Sequence, residues 1–177
     1  MSGSTLQIRN ATPEDARAIT ELHIRAWRAA YRGLFSDERL DALDVTLSAP
    51  KREAFLRDMP TPRHRWWVQE EGQELTGFAA VGPSRDEDLG PETIELYAIY
   101  VEPTRIDTGL GRHLMEHVLA HARDAGYASL TLWVLVNNTR SNAFYAHAGL
   151  VPDARVTPVP AYPGEPLKHR LVLPLPR

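Results

Sequence analysis

The chain has 177 residues, 43% of them hydrophobic and 24% charged, with a net charge of −3; this is the length of one domain and the composition of a globular protein. It contains no cysteine, which excludes a disulfide framework, a thiolate zinc site, an iron–sulfur cluster and a cysteine nucleophile. The slightly acidic balance lacks the basic footprint of a nucleic-acid binder, and no apolar stretch reaches the roughly 20 residues that span a bilayer. Met1-Ser2-Gly3-Ser4 leads into polar residues rather than the apolar run of a signal peptide. The expectation is one domain over residues 1–177, cytoplasmic, with no nucleic-acid or membrane partner.

Leu6 to Arg9 reads as a short strand. Thr12-Pro13-Glu14-Asp15 is a helix start, with Thr12 as cap, Pro13 in the first helical position and Asp15 reaching back. Ala16, Ile19, Leu22, His23, Ala26, Trp27, Ala30 and Tyr31 follow at helical spacing, and Gly33 ends the segment. Ser36 to Leu43 and Lys51 to Met59 read as two shorter helices. From His64 the period becomes that of strands: His64 to Glu70 and Glu74 to Val81 flank the turn-prone Glu71-Gly72-Gln73. After a polar loop, Thr93 to Val101 is a buried strand. Gly109 to Ala125 is an amphipathic helix, Ser129 to Val136 a strand, and Asn138 to Ala148 a short helix closed by Gly149. Strands at Leu150 to Val156 and Leu167 to Leu175 finish the chain around a Pro-rich loop, Thr157 to Pro166. Late strand–helix alternation predicts an α/β domain with at least one parallel strand pair in a mixed sheet.

The densest chemical signal lies where the fourth strand meets the following helix, in Val101-Glu102-Pro103-Thr104-Arg105-Ile106-Asp107-Thr108-Gly109-Leu110-Gly111-Arg112. Glycines there let backbone approach a ligand closely, and the unpaired N–H groups of a helix start attract phosphate oxygens. A P-loop requires Gly-Lys-Ser/Thr, and Gly111 is followed by Arg112-His113. A dinucleotide fingerprint requires a third glycine, where Leu114 stands, and a carboxylate after the next strand, where Val136-Asn137-Asn138 stands. NAD is therefore the weaker fit.

These residues resemble the pyrophosphate loop of the GNAT superfamily of N-acetyltransferases. A second block, Asn138-Thr139-Arg140-Ser141-Asn142-Ala143-Phe144-Tyr145-Ala146-His147-Ala148-Gly149-Leu150, is similar to the family's later motif. The resemblance implies a mixed sheet splayed between the fourth and fifth strands and flanked by helices. It implies acetyl-CoA as co-substrate, no metal, and a small-molecule or peptide amine as acceptor, with a homodimer left open. Carried over position by position, it implies cofactor contacts from Ile99, Tyr100 and Val101, from Asp107, Thr108, Gly109, Leu110, Gly111 and Arg112, and from Asn138. Tyr145 takes the place of the proton donor to sulfur, Glu95 that of a general base, and Trp27 and Tyr31 border the acceptor site. The sequence departs from the family at Ile106, usually Gln or Arg, and at Asp107, often Gly or Arg. A carboxylate there repels a pyrophosphate unless it turns away or pairs with a cation such as Arg105 or Arg112.

Bland readings stand beside these. As a base Glu95 would share its strand face with Tyr97, Ile99 and Val101; otherwise Tyr145 can be a packing residue, Asn138 a helix cap, Glu95 an exposed carboxylate at a strand's start, and Trp27 with Tyr31 a core pair. Another carboxylate position used for the base within the family, on the fifth strand, is Trp133 here. His113, His117 and His121 recur every four residues, and the reading is a solvated helix face rather than a metal stripe. No Gly-x-Ser-x-Gly elbow is present. Without a cysteine or serine nucleophile, acetyl transfer is expected by direct attack in a ternary complex. The competing class is a non-catalytic CoA-binding or partner-binding module on the same fold.

Overall fold

A computed structural model describes residues 5–59, 61–159 and 166–176. Seven strands form one sheet in the order β1-β2-β3-β4-β5-β7-β6. They are β1 (Leu6–Asn10), β2 (Arg65–Glu71), β3 (Glu74–Pro83), β4 (Thr93–Val101), β5 (Ser129–Leu135), β6 (Val151–Pro158) and β7 (Leu167–Pro174). Five helices accompany them: α1 (Ala16–Tyr31), α2 (Asp37–Asp41), α3 (Val45–Arg57), α4 (Leu110–Asp124) and α5 (Thr139–His147). All pairings are antiparallel except β4 with β5. Most of the Pro-rich segment expected at Thr157 to Pro166 lies outside the described residues, as do the first four residues.

The helices divide between the two faces because their apolar stripes do. Ala16, Ile19, Leu22 and Ala26 of α1 pack with Leu56 of α3 onto Val68 and Phe78. Leu114, Met115, Val118, Leu119 and Ala122 of α4 cover Ala79, Val81, Ile94, Leu96, Leu130 and Leu132 on the other face. Each such leucine contributes roughly 1.5–3 kcal/mol by leaving water. The start of α1 is as its sequence dictates: the Asp15 carboxylate accepts the Thr12 N–H at 2.7 Å, after one turn of tighter helix at Pro13–Asp15. The third helix begins at Val45, six residues before the expected Lys51. Asp44 caps it through the Thr46 N–H at 2.6 Å, and Pro50 is carried inside the helix rather than opening it.

Strand β4 has the feature that shapes the molecule. Ala80 pairs with Ala98 but Val81 with Leu96, so Tyr97 is an extra, bulged residue. The alternation of side chains is reset there. Ile94 and Leu96 before the bulge and Ile99 and Val101 after it all face α4, whereas Ala98 and Tyr100 face α1. Glu95 therefore lies on the opposite face from Ile99 and Val101, and the simple alternation expected from sequence fails. Beyond the bulge β4 also parts from β5: the two pair only at Thr93–Ser129, Ile94–Leu130 and Glu95–Thr131.

Candidate active site

The parting of β4 and β5 opens a cleft of about 1090 Å³. One end is built by the turn into α4. Gly109 has φ +92° and an added Cβ would meet nothing within 4 Å, so glycine is required there by backbone conformation and not by crowding. No side chain caps α4. Gly109, Gly111 and Arg112 line the cleft, so the unpaired N–H groups of the first turn and the positive end of the helix dipole face the opening. This is a fitting cradle for a diphosphate. Thr108 does not line the cleft; its hydroxyl donates to the Arg105 carbonyl at 2.6 Å. Leu110 does not line it either, because its side chain is buried beneath the loop.

Asp107 lines the cleft with φ +66°. Its carboxylate accepts from the guanidinium of Arg140 on α5 at 2.7 Å. The expected cations are engaged elsewhere: Arg105 pairs with Glu71 at 2.6 Å and Arg112 with Glu116 at 2.9 Å. Arg140 itself lines the cleft, a residue quoted in the second motif yet assigned no role from sequence.

Along the middle of the cleft run Ile99, Tyr100 and Val101 of β4 and Tyr145 of α5. The Tyr145 ring meets Phe144 edge-on at 5.3 Å. Among the described residues its hydroxyl has no hydrogen-bond partner, and burial pushes the phenol above its ordinary value near 10. Asn138 lies beneath, 7% exposed and off the cleft wall; its Oδ1 caps α5 by accepting the Ser141 N–H at 3.1 Å, while its Nδ2 is buried without a partner. The helix-cap reading of Asn138 thus holds, and one amide donor is left over.

The far end is aromatic. Tyr31 lines the cleft with Tyr97 and Tyr100. Trp27 stands behind them, its indole N–H donating to the Tyr100 hydroxyl at 2.9 Å, while the Tyr31 hydroxyl lies 3.3 Å from the same oxygen. Burial raises the Tyr31 phenol and raises that of Tyr100 further, so these hydroxyls stay protonated at neutral pH.

Glu95 is not brought to this site. It is 1% exposed and absent from the cleft wall. Its Oε2 accepts the backbone N–H of Arg85 at 2.8 Å, and its Oε1 accepts from the Arg85 guanidinium. The bulge turns it away from Ile99 and Val101, expected beside it, and Arg85 occupies the lone pairs a base would use. Trp133, which holds the alternative base position, does line the cleft, and its indole N–H donates to Asp86 at 3.0 Å. Nothing local in the sequence links those two residues.

The histidine row on α4 is not a solvated face. His117 and His121 meet the Trp67 ring edge-on, each at 5.0 Å, and His113 Nδ1 accepts from the Gln69 amide at 2.8 Å. Among the described residues no group of three side chains could hold a metal ion, and no described helix is long and apolar enough to cross a membrane.

Residues 17–150 match the acetyltransferase (GNAT) family. The uncharacterized N-acetyltransferase YuaI of Bacillus subtilis is 30% identical over 132 residues, covering 74% of this chain and 72% of that protein. The L-amino acid N-acyltransferase MnaT of Escherichia coli is 28% identical over 154 residues, covering 87% and 84%. Among solved structures, the PaiA N-acetyltransferase of Thermoplasma acidophilum in complex with coenzyme A superposes with a TM-score of 0.74 at 17% identity, over 94% of this chain and 98% of that one. The match spans the pyrophosphate-type loop, the splayed strands and the Phe144-Tyr145 pair, and the chain belongs to the GNAT family of acetyltransferases.

Proposed function

We propose that the protein is an N-acetyltransferase that passes an acetyl group from acetyl-CoA to an amine by direct attack within a ternary complex. The observation that carries this is Tyr145: an unpartnered phenol, protonated at neutral pH, facing a cleft whose other end is a diphosphate cradle. In this reading the first turn of α4 and Arg112 hold the diphosphate. The amine nitrogen attacks the thioester carbonyl carbon, the carbon–sulfur bond breaks, and the departing sulfur takes the Tyr145 proton to leave as a thiol. The acceptor nitrogen, bonded to the acetyl carbon, gives up its own proton to solvent, and the Tyr145 phenolate takes one back from solvent, which restores the balance. The cleft carboxylates among the described residues, Asp107 and Glu116, are paired with arginines at the phosphate end. Deprotonation of the ammonium before attack is therefore assigned to solvent rather than to Glu95. The name of the Escherichia coli relative, an acyltransferase acting on amino acids, supports an amine as acceptor.

Thermal unfolding in parallel with acetyl-CoA, CoA and NAD, together with thiol release over a panel of amines, tests the reading. A ligand at one hundred times its Kd adds about 2.7 kcal/mol, a rise in Tm of roughly 5–10 °C for a domain of this size. The CoA species should protect and NAD should not. Equal protection by NAD would refute the assignment of the cradle, and protection by CoA without amine-dependent thiol release would leave a binding module.

A further inference from the structure

Strand β7 carries two cations two residues apart on the face of the sheet opposite α4, and their surroundings differ. Arg170 is 4% exposed and commits its donors to three carboxylates: Asp153 at 2.6 Å, Asp88 at 2.8 Å and Asp86 at 3.2 Å. Lys168 has no carboxylate partner among the described residues; its Nζ stands 4.7 Å from the centroid of the Trp133 ring. Trp133 is directly opposite Arg170 in the β5–β7 ladder, lines the cleft, and is fixed in place by the Asp86 bond to its indole N–H. The Arg170 cluster thus anchors the ring on which the Lys168 ammonium rests.

An ammonium over an indole keeps donors on the side away from the ring. A carboxylate arriving there gains a charge-assisted hydrogen bond in a partly desolvated setting. Across the cleft, the wall formed by Ala26, Ala30, Tyr31, Tyr97, Ala98 and Tyr100 carries no ionised group. One end of the acceptor space is therefore apolar and phenolic; the other ends at Trp133, which lines the cleft and bears against its ring the Lys168 ammonium, itself outside the cleft lining. A polycationic acceptor would meet like charge at Lys168 and no carboxylate on the opposite wall.

We propose that the acceptor is an α-amino acid with an apolar or aromatic side chain, its carboxylate held by Lys168 beside Trp133. This rests on the N-acetyltransferase reading and narrows it to one substrate class.

The probes are L-phenylalanine with 2-phenylethylamine and L-leucine with 3-methylbutylamine, pairs that differ only by the carboxylate, assayed by acetyl-CoA-dependent thiol release. The wild type should prefer the acid of each pair in kcat/KM. Lys168→Met should reduce that preference at least tenfold, with the change residing in KM for the acid. Lys168→Arg should restore much of it. Because each preference is a ratio compared between enzymes, the differing basicity of the amines cancels. Tm measured with and without acetyl-CoA verifies that each variant is folded. A wild type indifferent to the carboxylate, or a ratio unmoved by Lys168→Met, would overturn the assignment of Lys168. Turnover of polyamines or peptides in place of both pairs would overturn the substrate class while leaving acetyl transfer standing. Failure to acetylate any amine would remove the enzymatic reading and this one with it.

Discussion

Tyr145→Phe isolates the step on which the mechanism depends. The substitution keeps the ring, its edge-on contact with Phe144 at 5.3 Å and its packing against the α4-side core. The hydroxyl it deletes has no hydrogen-bond partner among the described residues, so no native bond is lost and no partner is orphaned. Stability should change by less than about 0.5 kcal/mol, which moves Tm by under about 2 °C. Acetyl-CoA affinity should be unaltered. Turnover should fall by about 10²- to 10⁴-fold, the scale of a lost general acid, which corresponds to roughly 2.7–5.4 kcal/mol of barrier at 1.36 kcal/mol per decade. Since burial holds the phenol above its ordinary value, the acid form persists to higher pH, and wild-type kcat should show no falling limb from this group below about pH 10. The assay is steady-state thiol release with both substrates varied, and direct attack requires intersecting double-reciprocal lines. A Tyr145→Phe enzyme with full kcat, or parallel lines, would refute the mechanism.

Two further outcomes are expected. Asp107 and Arg140 form an exposed pair, so the pair itself adds little to stability. Asp107→Asn removes a negative charge from the phosphate end and frees Arg140; acetyl-CoA should bind several-fold tighter at low salt, the gain fading as salt rises. A Kd equal to that of the wild type at every ionic strength would show that Arg140 already cancels the carboxylate. His23, partly buried and beside the Arg52 guanidinium, has its pKa depressed to about 3. Its unfolded form takes up a proton near pH 6.5 while the folded form resists, so stability is fully present above pH 6.5 and declines as pH falls toward 3. The slope is at most about 1.4 kcal/mol per pH unit. Urea unfolding across that range should show a shallower slope in His23→Gln, and an unchanged slope would mean other groups govern the acid limb.

Much of the framework was legible because it is local. The hairpin at Gly72, the limits of β4 and the glycine turn into α4 all follow from patterns spanning a dozen residues or fewer. Glu95 was misplaced because a bulge is a property of two paired strands: nothing in Thr93 to Val101 alone marks Tyr97 as the extra residue. The start of α3 lies six residues before the expected Lys51 because Asp44 caps the helix there and Pro50 is carried within it. The contacts that fix Trp133 and Arg170 join distant positions, Trp133 to Asp86 and Arg170 to Asp88. The charged and aromatic residues are visible in sequence, but their pairing is decided only when β7 inserts between β5 and β6.

The parting of β4 from β5 has a consequence for solubility. Past Glu95 and Thr131 each strand has lost its neighbour on one side, leaving backbone donors and acceptors along two edges within the sheet. An open edge ordinarily invites a strand from another chain. Here the two edges face each other across a gap flanked by α4 and α5, with Phe144 and Tyr145 packed beside it. A second polypeptide strand with its side chains would have to displace those helices, whereas a slender molecule carrying amide groups can enter lengthwise and satisfy the exposed backbone. The same opening that would be an aggregation hazard at the rim of the sheet becomes, at its centre, a filter on the width of what can bind.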